Sequence, residues 1–254
     1  MALRVIYEPR GKAGEYADLA CNLYAGCDHG CVYCYAPAIS RKSLETFTHA
    51  APRSGVIDKI RRDAKDLAQA KDQRSILFCF MCDPYQTIDV EHQLTRQALE
   101  ILLPHGLNVT LLTKGGKRSE RDFDLIEQYP EQVTYATTLT LIDEQQRQQY
   151  EPGAAPTAER IAALEKAHDL GVKTWASLEP VIDPDQSLTL IQQTHPFVDL
   201  YKVGVLNYLP EAKAIDWTKF GTDAIALLEI LNKAYYIKND LKRYLSQSNK
   251  TPRL

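Results

Sequence analysis

The chain has 254 residues, 44% of them apolar and 25% charged, with a formal net charge of -3. That is an ordinary balance for a globular protein long enough to fill one α/β barrel, and it gives no global electrostatic pull toward nucleic acid, leaving only a local basic surface for such a role. The opening Met-Ala-Leu-Arg-Val-Ile-Tyr-Glu-Pro lacks an apolar h-region and no apolar run approaches membrane-spanning length, so a cytoplasmic protein is expected.

Residues 1–16 form a polar, glycine-punctuated stretch predicted to wrap the outside or the mouth of a barrel. Residues 17–25 are apolar and suit a first strand. They run into Asn22-Leu-Tyr-Ala-Gly-Cys-Asp-His-Gly-Cys-Val-Tyr-Cys-Tyr-Ala36. An extended loop is predicted after Cys34. Ile57, Ile60, Ala64, Leu67 and Ala68 recur at helical spacing. Strand and helix signals then alternate. Strands are predicted at Ser75–Met81, Asn108–Thr113, Val133–Leu141, Lys173–Leu178 and Val198–Val205. Helices are predicted at Glu91–Leu103, Ser119–Gln128, Thr157–Leu170, Asp185–Gln193 and Thr222–Ala234. The alternation implies a parallel sheet built through right-handed crossovers. Periodicity leaves a partly closed barrel and an open doubly wound sheet both open. After Tyr235 the chain is rich in lysine and arginine, which reads as a solvated face.

Six cysteines in a chain of this length read as metal-binding or reactive rather than as a disulfide framework. Cys27, Cys31 and Cys34 sit on one glycine-containing loop with the spacing C-x3-C-x2-C. Three thiolates held this close can ligate three corners of a cubic [4Fe–4S] cluster and leave the fourth iron without a protein ligand. An open coordination position makes a metal site reactive rather than structural. A zinc site is one alternative. It needs four ligands, and only Cys21 or His29 lies close enough, without a familiar zinc spacing. Buried, unligated thiols are the other alternative, although the flanking glycines and tyrosines suit it poorly.

The spacing resembles the signature of the radical S-adenosylmethionine (SAM) enzymes. The resemblance implies that the open iron binds the amino and carboxylate groups of SAM and that Tyr33 lies near the adenine. It also selects a partial (β/α)6 TIM-type barrel: a single domain over residues 1–254, with a core at about 15–207, an N-terminal extension and a C-terminal helical tail. Three more stretches fall at predicted strand ends, Cys79-Phe-Met-Cys-Asp-Pro-Tyr-Gln86, Thr113-Lys114 and Ser177-Leu-Glu-Pro180, and the fourth strand leads on to Glu151-Pro-Gly153. Together with the cysteine loop these resemble the spore photoproduct lyase-like branch, from about Glu15 to about Asn207. The C-terminal ends of strands are also where a barrel places its active site.

In that branch a lysine after strand three contacts the SAM carboxylate, and Lys114 takes that place; a surface turn lysine is the alternative reading. Asp83 is matched to the methionine amine, or is a turn residue before Pro84. Thr137 or Thr138 is assigned to the ribose, or either is an ordinary strand residue. Tyr35 is core packing or part of a radical relay. Glu151 and Glu179 are ion-pair partners or functional groups, and His29 is a hydrogen-bonding neighbour rather than a ligand. The spore enzyme's hydrogen-returning cysteine aligns with Phe80. Strand alternation puts Cys82 on the same face as Phe80, about 7 Å further along, with Cys79 on the opposite face. Cys82 is therefore a better candidate than Cys79 for the hydrogen donor if a cysteine fills that role, with Tyr35 or no donor as the alternatives.

The resemblance implies reductive cleavage of SAM to methionine and a 5′-deoxyadenosyl radical, which abstracts hydrogen from a substrate. It also implies a reducing partner such as flavodoxin or ferredoxin. By analogy with the branch alone, the substrate class is nucleic acid or nucleotide. The missing cysteine, and a region beyond Asn207 without a counterpart, speak against thymine-dimer repair. A non-catalytic iron–sulfur protein that senses redox state or binds a partner is the rival reading.

Overall fold

The computed structural model describes residues 3–248. Seven strands form one parallel sheet: β1 (Leu19–Cys21), β4 (Ile76–Phe78), β5 (Val109–Thr113), β6 (Val133–Thr138), β7 (Lys173–Leu178), β8 (Leu200–Val203) and β9 (Ala234–Ile237). Their spatial order follows the chain, each strand pairing with the next. A two-stranded antiparallel ribbon, β2 (Tyr24–Ala25) with β3 (Ala51–Pro52), stands beside it. The main sheet is a partial TIM-type barrel, open between β1 and β9.

Short apolar runs become strands here because both faces are covered, one by helices and the other by the barrel interior. Ile76, Leu77 and Phe78 are all fully buried. The helix Val56–Gln69 buries Ile60, Ala64 and Leu67 as their spacing predicts, with Val56 added to that face, while Ile57 and Ala68 stay half-buried. Thr157–Asp169 does the same with Leu164 and Ala167.

The N-terminal stretch lies at the mouth and laces across the open seam. Tyr7 exchanges backbone hydrogen bonds of 2.9 and 2.8 Å with Ala20 on β1. Further along, Glu15 Oε2 accepts from the Asn239 amide at 2.9 Å and from the Tyr236 hydroxyl at 3.2 Å, next to β9. No helix among the described residues is long and apolar enough to cross a membrane.

The sheet carries one strand more than the six predicted. The helix predicted for Thr222–Ala234 runs from Trp217 to Ile230, and the chain then returns as β9. The tail is not wholly a solvated face either. Lys238 is 2% exposed, because β9 carries it to the barrel mouth; residues 249–254 of that tail lie outside the described part. The stretch after Cys34 forms two short helices, Ala36–Ile39 and Leu44–Thr48, rather than an extended loop. Ser119 does not cap a helix. Its hydroxyl donates to Gly116 O at 2.7 Å inside a 3-10 segment, Gly116–Asp122.

Candidate active site

A cavity of about 450 Å³ opens at the C-terminal ends of the strands, and Cys27, Cys31 and Cys34 all line it. The loop that carries them is fixed on several sides. Gly26 has φ of 100°, and a Cβ there would come within 2.5 Å of Phe47 O, so only glycine lets the chain turn into the loop. The Asp28 carboxylate accepts the Thr87 and Ile88 amides, each at 3.1 Å. Val32 N donates to Tyr150 O at 2.9 Å, and Gly153 N donates to His29 O at 2.9 Å. A Cβ on Gly153 would lie 2.4 Å from Asp28 O. The segment 150–153 is thus pressed directly against the cysteine loop.

Asp83, from the exit of β4, is a junction. Its carboxylate accepts the Thr113 hydroxyl at 2.6 Å, the Lys114 amide at 2.7 Å and the Tyr85 amide at 2.8 Å. Burial works against its charge, but the His29 ring and these hydrogen bonds hold the carboxyl below its usual range. The His29 imidazole itself is pushed down to about 4 by burial, so it is neutral at pH 7. Its 3.6 Å approach to Asp83 is then neither an ion pair nor a hydrogen bond but a contact between a neutral ring and a carboxylate. Arg118 donates to His29 Nε2 at 2.9 Å, which leaves the ring proton on Nδ1, facing Asp83.

On the other side of the cavity, Lys114 Nζ stands 5.6 Å from the centre of the Tyr33 ring. Burial opposes the lysine's charge, but Cys31 and Glu151 outweigh it and raise its pKa, so it stays cationic. The Tyr33 hydroxyl donates to Glu151, and Arg160 Nη2 lies 2.6 Å from Glu151 Oε2. This pair is ionic rather than a well-directed hydrogen bond, since neither atom has a hydrogen-bond partner of good geometry. Arg160 also donates to Ala155 O at 2.8 Å and Thr138 O at 3.1 Å. Ala155 N donates to Lys114 O at 2.9 Å. Residues 150–160 therefore tie the cysteine loop, the Lys114 turn and the end of β6 into one unit.

The three loop thiols share the cavity, yet no three His, Cys, Asp or Glu side chains among the described residues converge as ligands of a single metal ion. Three cysteines lining one cavity fit an iron–sulfur group, which is held by cysteine thiolates. The family profile described as the radical SAM superfamily matches residues 21–194. The chain belongs to the radical SAM superfamily. Membership implies SAM and an iron–sulfur cluster as cofactors.

Among the relatives of this superfamily member, an uncharacterised protein of Methanocaldococcus jannaschii is 27% identical over 194 residues, covering 75% of this chain and 71% of that protein. An uncharacterised protein of Acidianus two-tailed virus is 25% identical, covering 72% of this chain and 63% of its own length. One from Mycobacterium tuberculosis is 23% identical over 63% of this chain and 48% of its own. Spore photoproduct lyase complexed with dinucleoside spore photoproduct superposes with a TM-score of 0.68 at 15% identity, over 93% of this chain and 79% of that one. Streptococcus suis SuiB bound to S-adenosylmethionine gives 0.60 at 14% identity, over 85% and 48%. These structures share the radical SAM barrel.

Within that barrel, Tyr33, Asp83, Lys114 and Thr138 line the same cavity as the three cysteines. Thr137 does not; its hydroxyl is spent on Thr113 O at 2.8 Å. Tyr35 is 37% exposed and donates to Phe80 O at 2.9 Å, so it edges the cavity and is not core packing. The face assignment of Cys79 and Cys82 fails. β4 ends at Phe78 and the chain bends through Phe80, Met81 and Cys82, so alternation no longer applies and both thiols line the cavity. The network around Tyr16 was not anticipated. Its hydroxyl donates to Glu179, which pairs with Lys238 at 3.3 Å and packs against Gly204. Arg160 was missed although a signal existed. It falls at i, i+4 and i+7 with Leu164 and Ala167, on the buried face of its helix.

Proposed function

We propose that Cys27, Cys31 and Cys34 hold a [4Fe–4S] cluster with one open iron and that the protein is a radical SAM enzyme. When bound, the cluster and SAM together supply a one-electron cleavage to methionine and a 5′-deoxyadenosyl radical, for hydrogen abstraction from a substrate. The observation that carries the reading is the meeting of three cysteines, a half-buried lysine and a tyrosine in one cavity at the barrel's C-terminal mouth.

Each side chain has work suited to its chemistry. Lys114, a half-buried cation, holds a carboxylate. Asp83, kept ionised, faces an ammonium group. Tyr33, with its hydroxyl anchored on Glu151, offers a ring against the adenine. Thr138 donates to or accepts from ribose hydroxyls. Tyr35 and Cys82, both lining the cavity, are the groups proposed to quench or relay a substrate radical. Similarity to spore photoproduct lyase favours nucleic acid or a nucleotide as substrate, and a flavodoxin- or ferredoxin-type protein as electron donor.

The test is anaerobic reconstitution with iron and sulfide, followed by SAM and dithionite, with 5′-deoxyadenosine measured. Formation of 5′-deoxyadenosine supports the enzyme. A loaded cluster that binds SAM but never cleaves it would sink the reading in favour of a redox sensor.

A further inference from the structure

The two cysteines outside the cluster loop that reach the cavity do so together. Asn22 Oδ1 accepts the Phe80 amide at 2.9 Å and the Met81 amide at 2.7 Å, and Tyr35 holds Phe80 O at 2.9 Å. These contacts pin the bend after β4 that brings both Cys79 and Cys82 to the lining of the cavity. Both are free thiols, 6% and 8% exposed. Two cysteines three residues apart on a bent segment can approach to the Cα separation of about 4.4–6.8 Å that a disulfide spans. Cys21, fully buried behind them, does not line the cavity.

We infer that Cys79 and Cys82 form a redox-active dithiol inside the active cavity, able to give one hydrogen atom and one further electron to the reaction and to close as an intramolecular disulfide. The inference rests on the radical reading above for its place in turnover. A substrate-derived carbon radical takes the hydrogen atom of one thiol, breaking S–H and forming C–H. The thiyl left behind bonds to the second sulfur as that thiol's proton leaves to water at the mouth. The disulfide radical anion then passes its extra electron to a one-electron carrier of the flavodoxin or ferredoxin class. The sum is one C–H and one S–S bond formed, two S–H bonds broken, and one proton and one electron released.

Burial pushes the Cys79 thiol up. It therefore keeps its hydrogen at neutral pH, the form from which a hydrogen atom is given. A lone thiol donor would leave a thiyl radical with no partner. Here a second thiol stands three residues away on the lining of the same cavity.

The pairing can be read without a substrate. The cluster-loaded protein is treated anaerobically with diamide, which takes up two electrons and two protons as it becomes a hydrazine. It is then alkylated and digested with trypsin. The peptide Ser75–Arg96 contains Cys79 and Cys82 and no other cysteine, while the other four lie in Ala13–Arg41. The expected result is a Ser75–Arg96 peptide lighter by two hydrogens and closed to alkylation, with iron content unchanged. The disulfide should be lost in both Cys79→Ser and Cys82→Ser. A wild-type peptide that still carries two alkylated thiols, or one cross-linked to Ala13–Arg41 through Cys21, would overturn the pair. The readout needs no SAM, so failure here leaves the 5′-deoxyadenosine result untouched, and the reverse also holds.

Discussion

Glu151 and Arg160 face each other at 2.6 Å with both side chains at 0% exposure, directly behind the Tyr33 hydroxyl. Burial opposes the charge on each, but the partner outweighs it: the Glu151 carboxyl is held below its usual range and the Arg160 guanidinium above. Removing one member strands the other charge in the interior. Glu151→Ala is expected to cost about 3–5 kcal/mol in urea unfolding, and the Glu151→Met/Arg160→Met double variant clearly less. A single variant as stable as wild type would show that the pair carries no such burden.

The three loop cysteines should be separable from the other three. After anaerobic reconstitution, Cys27→Ala, Cys31→Ala and Cys34→Ala are expected to lose the reduced-cluster EPR signal or most of their iron. Cys21→Ala, Cys79→Ala and Cys82→Ala should keep it. Equal iron in all six would remove the cluster from this loop.

Lys114→Ala should weaken SAM binding while leaving iron content unchanged, because a charge-assisted contact contributes on the order of 1.5–3 kcal/mol. That corresponds to roughly ten- to a hundredfold in Kd by calorimetry. An unchanged Kd would assign the carboxylate to another group.

Gly153 is where the segment 150–153 touches the cysteine loop, and its added Cβ would meet backbone at 2.4 and 2.8 Å. Backbone cannot swing aside as a side chain can. Gly153→Ala is therefore expected to lower stability by about 1–3 kcal/mol and to reduce cluster retention. Gly14→Ala, whose Cβ would meet only Pro9 O at 3.4 Å, is the control and should match wild type in both measurements.

Lys202 supplies a pH dependence. Its Nζ donates to Tyr16 O at 2.9 Å and lies 3.7 Å from the Trp175 ring centre, with burial and the nearby Lys238 pushing its pKa down to about 7. The unfolded lysine titrates near 10.4, so from pH 7 up to that value the unfolded chain binds more protons and stability rises with pH. Trp175 favours the cation and trims the effect. Between pH 7 and pH 9 wild type should gain roughly 1–2 kcal/mol more than Lys202→Met in urea unfolding. Parallel curves for the two proteins would remove Lys202 as the cause.

The sequence by itself determined what is local. The spacing of Cys27, Cys31 and Cys34 lies within one loop, and the strand and helix periods lie within single elements, so both are legible before any folding. Lys114 and Asp83 were within reach because each follows directly from a strand end, where a barrel must put its site. Only the tertiary structure decided the rest. Tyr33 and Glu151, 118 residues apart, meet because the segment 150–153 is hydrogen-bonded against the cysteine loop. Lys238 is buried against Glu179 because β9 adds to an edge that the short run Ala234–Ile237 does not announce. Cys79 and Cys82 share the cavity because Asn22, on another segment, bends the chain out of strand geometry. Periodicity assumes that an element continues; a hydrogen bond from elsewhere in the chain can end it.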